Sequence, residues 1–205
     1  MLTLYGFPNS RSARIRWGLE EIGLDYDYVK VNLASPSGPG EDFLRINPGG
    51  KVPAIDDEGL VLTESAAILT YLADRYAPGT MYPAAGTRER AVATQWCFFI
   101  LTELEQPLWT LAKHKFALPK ERRVPEIRET AAWEFARACR AFASGLGERE
   151  VLAGDNFSFV DLLATHTLAW GRAARLPLGH DNLERYADRH LQRPAWLKVM
   201  ELDAE

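Results

Sequence analysis

The apolar residues of this chain change period once, and that change constrains the fold more than any other feature. Before residue 77, short extended apolar runs alternate with helical stretches; beyond residue 86, apolar residues recur only at helical spacing. The segment between them, Ala-Pro-Gly-Thr-Met-Tyr-Pro-Ala-Ala-Gly, holds two prolines and two glycines and follows neither period, as an interdomain connection does. A chain of 205 residues can bury two modest cores. The reading is therefore two domains, at residues 1–77 and 87–205, joined by a linker at 78–86.

In the first domain, Leu2, Leu4 and Tyr5 begin a strand that Pro8-Asn9-Ser10 breaks, and Ser10 or Ser12 can cap the next helix. Ile15, Leu19 and Ile22 then repeat at helical spacing beside Arg14, Arg16, Glu20 and Glu21, and Gly23 stands where a left-handed C-terminal cap is needed. A second strand is expected at 26–33, a Ser/Pro/Gly loop at 35–40 and a short helix at 42–46. Val52-Pro53-Ala54-Ile55, the acidic turn Asp56-Asp57-Glu58-Gly59 and Leu60-Val61-Leu62 read as a hairpin. Pro53 cannot donate to a ladder, which puts it at a strand start or an edge. A helix from Thr63 or Glu64 to Tyr76 closes a βαβαββα order.

The second domain reads as helices at 87–115, 124–146 and 158–174, with shorter ones at 183–189 and 194–202. Ser158 and Asp161 form the Ser-x-x-Asp variant of a capping box, a structural role.

Net charge is -4 and the basic residues are interleaved with acids, so nucleic acid is not the expected partner. The most apolar stretch, 96–104, is interrupted by Thr102 and Glu103, short of the roughly 20 apolar residues that a spanning helix needs. The opening Met1-Leu2-Thr3-Leu4-Tyr5-Gly6 carries no leader pattern, and Cys97 and Cys139 supply neither a disulfide framework nor a metal set. His114 and His166 lack a helical His-x-x-x-His partner and are left unassigned. A reducing cytoplasm without a bound metal is expected.

Four stretches then carry a resemblance over essentially the whole chain: Leu4-Tyr5-Gly6-Phe7-Pro8-Asn9-Ser10-Arg11-Ser12-Ala13-Arg14, Asn47-Pro48-Gly49-Gly50-Lys51-Val52-Pro53-Ala54-Ile55, Leu62-Thr63-Glu64-Ser65-Ala66-Ala67-Ile68, and Gly154-Asp155-Asn156-Phe157-Ser158-Phe159-Val160-Asp161. In this order they resemble the cytosolic glutathione transferase superfamily, in particular a serine-type, bacterial-like member. The resemblance implies a thioredoxin-like first domain, an all-helical second domain, and glutathione as co-substrate.

A thiol of ordinary pKa near 8.5 is mostly protonated at neutral pH, whereas the thiolate is the nucleophile, so such a transferase must stabilise negative sulfur. The family's serine-using members place a hydroxyl donor in the turn after the first strand. Ser10 is the best match, Ser12 is the close competitor and the preferred helix cap, and Asn9 is a third donor. Tyr5 falls too early on the strand for the tyrosine used by other classes and reads as core.

Val52-Pro53 resembles the family's cis-proline turn, where the backbone before proline pairs with the cysteinyl part of glutathione. Lys51 is within reach of the glycyl carboxylate in the same scheme. Glu64-Ser65 matches the acidic-polar pair that holds the gamma-glutamyl end, with helix N–H groups ready for its carboxylate. The electrophilic small molecule is expected against Phe7 and the first long helix of the second domain, at Trp109, Lys113 and Phe116.

Conjugation is the leading reading. A transferase or reductase with its own catalytic thiol would want a cysteine in the first-domain turn, and both cysteines lie in the second domain. The maleylacetoacetate isomerase class carries Ser-Ser-Cys where this chain has Asn9-Ser10-Arg11-Ser12, and ranks below conjugation. A non-catalytic interaction protein on the same fold is the third reading; relatives of that kind often lose the glutathione contacts that are present here. The family resemblance implies a homodimer with contacts at the helices from Glu64 and Thr87.

Overall fold

A computed structural model describes residues 1–33, 35 and 38–204. Pro36 and Ser37 of the expected loop, and Glu205 at the end of the expected helical domain, lie outside the described residues. In chain order the elements are β1 (Leu2–Gly6), α1 (Ser12–Ile22), β2 (Asp27–Lys30), α2 (Glu41–Ile46), β3 (Ala54–Asp57), β4 (Leu60–Thr63), α3 (Ser65–Tyr76), α4 (Arg88–Phe99), α5 (Glu105–Ala112), α6 (Ile127–Leu146), α7 (Phe159–Ala173), α8 (Asp181–Leu191) and α9 (Pro194–Ala204). Two π turns, Ile100–Leu104 and Lys113–Ala117, flank α5.

The chain divides into two compact units, residues 1–84 with 192–205 and residues 85–191. The first is thioredoxin-like, with a four-stranded mixed sheet ordered β2-β1-β3-β4. Its β1–β2 pair is parallel and the other pairs are antiparallel. The second unit is all-helical.

The periodicity of the sequence assigns residues 192–205 to the helical domain, whereas in the structure they group with the first unit. The reason is visible on α1. Its residues 12–19 are all buried, including Arg14 and Arg16, which the periodicity sets on a polar face. One side of α1 meets β1 and α3, and α9 covers the other. Trp17 packs on Trp196 with ring centroids 4.8 Å apart. Arg193 donates from Nε and Nη2 to the Glu21 carboxylate at 2.6 and 2.8 Å. Lys198 Nζ lies 2.6 Å from Glu20 Oε2.

The hairpin also differs from expectation. Asp56 and Asp57 extend β3, and the loop is Glu58–Gly59, with φ of 54° and 91°. Two positive φ values in a two-residue loop match the twist of the strands it joins. Asp57 stays on the strand because its buried carboxylate accepts the Tyr71 and Tyr76 hydroxyls at 2.7 and 2.5 Å. Burial pushes this carboxyl up, but the Tyr76 and Tyr71 donors outweigh it and hold the group below its ordinary value.

In the second unit the expected 87–115 helix is interrupted by the two π turns. Pro107 sits inside α5, where it has no N–H and crowds the carbonyl four residues back. Thr102 Oγ1 donates to the Phe98 carbonyl at 2.9 Å, a second local disturbance of the ladder. The widened turn Ile100–Leu104 absorbs both. α6 starts at Ile127 rather than 124, since Pro125 biases Val124 to extended backbone. Ser158 and Asp161 form the capping box of α7 as read from the sequence. Among the described residues, no helix is long and apolar enough to cross a membrane.

Candidate active site

Sheet register brings three of the singled-out stretches to one edge of the first unit. Tyr5 pairs with Ala54, so Gly6 and Phe7 run out beside Pro53 and Val52. Ala54 also pairs with Thr63, which delivers Glu64 and Ser65 to the same end. The Ser10 turn, Val52-Pro53 and Glu64-Ser65 therefore share an edge although they are far apart in sequence.

Gly6 ends β1 under tight constraint. A Cβ placed there would lie 2.7 Å from Tyr28 Cε2 and 2.9 Å from Ser12 Cβ. Only glycine lets the strand pass this close before it turns. Asn9 comes three residues later with φ 56°, a left-handed conformation that asparagine tolerates better than most residues.

Ser10 is half-buried at the entrance to α1. Its hydroxyl donates to the Phe7 carbonyl at 2.6 Å, and its oxygen accepts the Ser12 N–H at 3.1 Å. Ser12 is buried, and its Oγ accepts the Phe7 N–H at 3.2 Å while lying 3.0 Å from Ser10 Oγ. The expected cap is thus corrected. Ser12 is the first residue of α1 and its hydroxyl reaches backwards, while Ser10 receives a leading helix N–H. Asn9 is exposed beside them.

The Val52–Pro53 peptide is cis. Asn47 shapes the approach to it, donating from Nδ2 to the Lys51 carbonyl at 2.7 Å and accepting the Gly49 N–H at 2.9 Å. Lys51 is exposed, and Val52 packs with Tyr5 against Val31 and Phe43. Tyr5 is therefore half-buried core, its ring centroid 6.0 Å from that of Phe43.

Glu64 precedes α3 with φ 66° and ψ 114°, a backbone that costs a residue with a side chain on the order of 1–3 kcal/mol. Ser65 is buried, and its hydroxyl accepts from Arg14 Nη1 at 3.3 Å. A fully buried guanidinium thus stands beside the first turn of α3, where backbone N–H groups are unsatisfied within the helix. The pairing of a buried cation with a helix start suits a carboxylate.

The residues expected for the acceptor divide between the units. Phe7 is half-buried in the first. In the second, Trp109 on α5 and Lys113 on the adjoining π turn are half-buried, and Phe116 is 64% exposed. The backbone under Phe116 is fastened: Arg123 donates to the carbonyls of Phe116 and Leu118, each at 2.8 Å. His114 Nδ1 accepts the Val124 N–H at 3.0 Å, which gives this histidine a structural duty.

Sequence reasoning missed Arg14 and the Glu64 backbone. Arg14 had a signal, because α1 carries Trp17 and Ala13 off its main apolar stripe, as a helix covered on two sides does. The conformation of Glu64 had none.

Residues 1–74 match the family described as glutathione S-transferase, N-terminal domain, and residues 105–194 match glutathione S-transferase, C-terminal domain. The chain is also similar to the disulfide-bond oxidoreductase YfcG of Escherichia coli strain K12, 32% identical, with 95% of this chain and 92% of that protein covered. The chain belongs to the glutathione S-transferase family.

This glutathione S-transferase fold is similar to a solved glutathione transferase from Methylococcus capsulatus, with a TM-score of 0.87, 30% identity and coverage of 100% and 99% of the two chains. A second solved structure, a glutathione transferase homologue from Lodderomyces elongisporus with two GSH per subunit, gives a TM-score of 0.86 at 27% identity, covering 98% of each chain. Neither cysteine of this transferase lies in the first unit, and burial pushes the Cys139 thiol up to about 12.

Proposed function

We propose that this enzyme conjugates the glutathione thiolate to an electrophilic small molecule, with the Ser10 hydroxyl donating to the sulfur. The observation that carries the reading is the Ser10 turn: a half-buried hydroxyl at the start of α1, on the sheet edge shared by Val52-Pro53 and Glu64-Ser65. A charged acceptor outcompetes a neutral carbonyl for one proton. Rotation of Ser10 from the Phe7 carbonyl toward a thiolate is therefore downhill, and Ser12 Oγ stays close enough to hydrogen-bond with the Ser10 oxygen. The burial of Ser12 supports Ser10 over its neighbour, and Asn9 is the remaining donor.

In this reading Val52 pairs its backbone with the cysteinyl part of glutathione beside Pro53, and Lys51 meets the glycyl carboxylate. Glu64 attracts the gamma-glutamyl ammonium, and Ser65 with Arg14 behind it receives the alpha-carboxylate. Phe7, Trp109, Lys113 and Phe116 are the proposed acceptor contacts. The enzyme is read as a serine-type member acting in the cytoplasm as a homodimer, which a monomeric mass by light scattering at micromolar concentration would contradict.

The test is ultraviolet titration of bound glutathione across pH in wild type, Ser10→Ala and Ser12→Ala. The expected result is a thiol pKa lowered in wild type and restored toward about 8.5 only by Ser10→Ala. Binding without a shift would make the protein a glutathione-binding module on this fold.

A second reading is disulfide reduction in which glutathione itself supplies both thiols. The relative named as a disulfide-bond oxidoreductase and the similar structure with two GSH per subunit favour it. One glutathione thiolate attacks a disulfide sulfur and expels a thiolate; a second displaces the mixed disulfide, giving oxidised glutathione and the second reduced thiol. No protein cysteine is needed. Turnover of hydroxyethyl disulfide set against chlorodinitrobenzene separates the two readings.

A further inference from the structure

We infer that Asp203, on the last helix, is a positioning residue for the turn that carries Ser10; the inference deepens the serine-donor reading and rests on it. Its two carboxylate oxygens serve different masters. Oδ2 accepts the backbone N–H of Asn9 at 3.0 Å, one residue before Ser10. Oδ1 accepts from Arg16 Nη1 at 2.7 Å. The Arg16 and Asp203 side chains are only 8% and 5% exposed, so water screens this pair little.

A second route leads from Asp203 to the other side of the same turn. The Arg16 guanidinium lies 3.8 Å from the centroid of the Tyr28 ring. That ring in turn closes against Gly6, where a Cβ would be 2.7 Å from Tyr28 Cε2. One carboxylate therefore holds the turn directly at Asn9 and braces it through Arg16 and Tyr28 at Gly6. Ser10 lies directly past Asn9, which adopts the left-handed φ of 56° that asparagine tolerates, so a hydrogen bond at the Asn9 N–H fixes how the chain enters Ser10. An anchor here fixes where the hydroxyl stands and touches neither glutathione nor the reacting atoms.

The contacts also separate this role from simple docking of α9. Lys198 to Glu20, and Arg193 just before α9 to Glu21, fasten this end of the chain to α1 away from the turn. Asp203 alone among these contacts bonds the turn's backbone.

The experiment compares Asp203→Ala, Asp203→Asn and Lys198→Ala with wild type and Ser10→Ala. It reads the pKa of the bound glutathione thiol, kcat and KM with chlorodinitrobenzene, and hydrogen exchange of the peptide spanning the turn. Asp203→Ala is expected to raise the thiol pKa by about one unit and lower kcat about tenfold, with KM for glutathione within about twofold. Exchange in the turn should quicken. Asp203→Asn keeps an acceptor for Asn9, is expected to fall between, and carries the test where the alanine variant does not fold. Lys198→Ala should match wild type in all three readouts.

Wild-type thiol pKa and kcat in Asp203→Ala would overturn the inference, as would equal losses in Lys198→Ala. If wild type itself fails to lower the thiol pKa, the serine-donor reading falls and this one with it. Ser10→Ala tells the two failures apart, because it is then as silent as the Asp203 variants.

Discussion

Ser158 and Ser10 each stand just before a helix, and their surroundings turn the same residue type to opposite ends. Ser158, before α7, is closed in. Its N–H and hydroxyl both meet Asp161 Oδ2, at 3.0 and 2.9 Å, while Asp161 Oδ1 accepts the Leu152 N–H and the Tyr186 hydroxyl, each at 2.7 Å. Burial pushes the Asp161 carboxyl up, and the Tyr186, Leu152 and Ser158 hydrogen bonds work against that push. Ser10, before α1, is half-buried, and among the described residues its bonds go to neighbours in its own turn and no carboxylate claims its proton. A serine saturated by a buried acid is a fastener, whereas one resting on a carbonyl can be recruited by a stronger acceptor.

The contrast breaks most easily at Asp161. Asp161→Ala would strand the Tyr186 hydroxyl, the Leu152 N–H and the Ser158 N–H in the core. The expected loss is at least ~3 kcal/mol by urea denaturation, since each buried unsatisfied group costs ~1–3 kcal/mol. Molecules that remain folded should give the same thiol pKa for bound glutathione as wild type. A loss below ~1 kcal/mol would mean the network is slack.

Ser10→Ala should do the reverse. Removing a donor aimed at developing or resting negative charge costs about 10²-fold in rate, so kcat/KM with chlorodinitrobenzene should fall by that order. Stability should fall by no more than the about 0.5–2 kcal/mol of a lost helix cap, because Ser10 also accepts the Ser12 N–H. Ser158→Ala comes next, lowering stability by about 0.5–2 kcal/mol with turnover little changed. Lost turnover at normal stability in that variant would erase the distinction between the two serines.

The smallest effect concerns another buried carboxylate, Asp57. Its folded pKa is depressed, so its stabilisation is fully present above its unfolded value, near 3.9, and is lost as pH falls through the depressed one. Tyr76→Phe removes one of the two hydroxyl donors. The urea midpoint of that variant should therefore depend less steeply on pH on the acid side. An unchanged slope would show that Tyr71 alone sets the group.

The sequence disclosed whatever is written locally. Ser158 and Asp161 are three residues apart on one helix, and the Gly23 cap, Val52-Pro53 and Glu64-Ser65 are each contiguous. The turn after β1 was legible for the same reason. Assignment of the cap between Ser10 and Ser12 was not, because it depends on which way each hydroxyl rotates once Phe7 folds back over them. Contacts with long sequence separation left no trace. Asp203 meets Asn9 across 194 positions. Without α9 in view, Arg14 and Arg16 look like an ordinary solvated face, since a helical wheel cannot show a second layer on its polar side. Asp56 and Asp57 looked like a turn because acids usually are one; Tyr71 and Tyr76 reverse that preference from another element.

The two π turns around α5 carry a consequence for how this scaffold diversifies. Each takes in one residue more than an α-helical turn, and one residue is about 100° of rotation about the helix axis. Trp109 lies beyond the first π turn, and Phe116 lies within the second. Loss of a single residue from Ile100–Leu104 would straighten the ladder and swing every later side chain of α5 by that angle. Gain or loss of one residue is thus a selector switch: a lineage can re-aim Trp109 and its neighbours while every side chain keeps its identity.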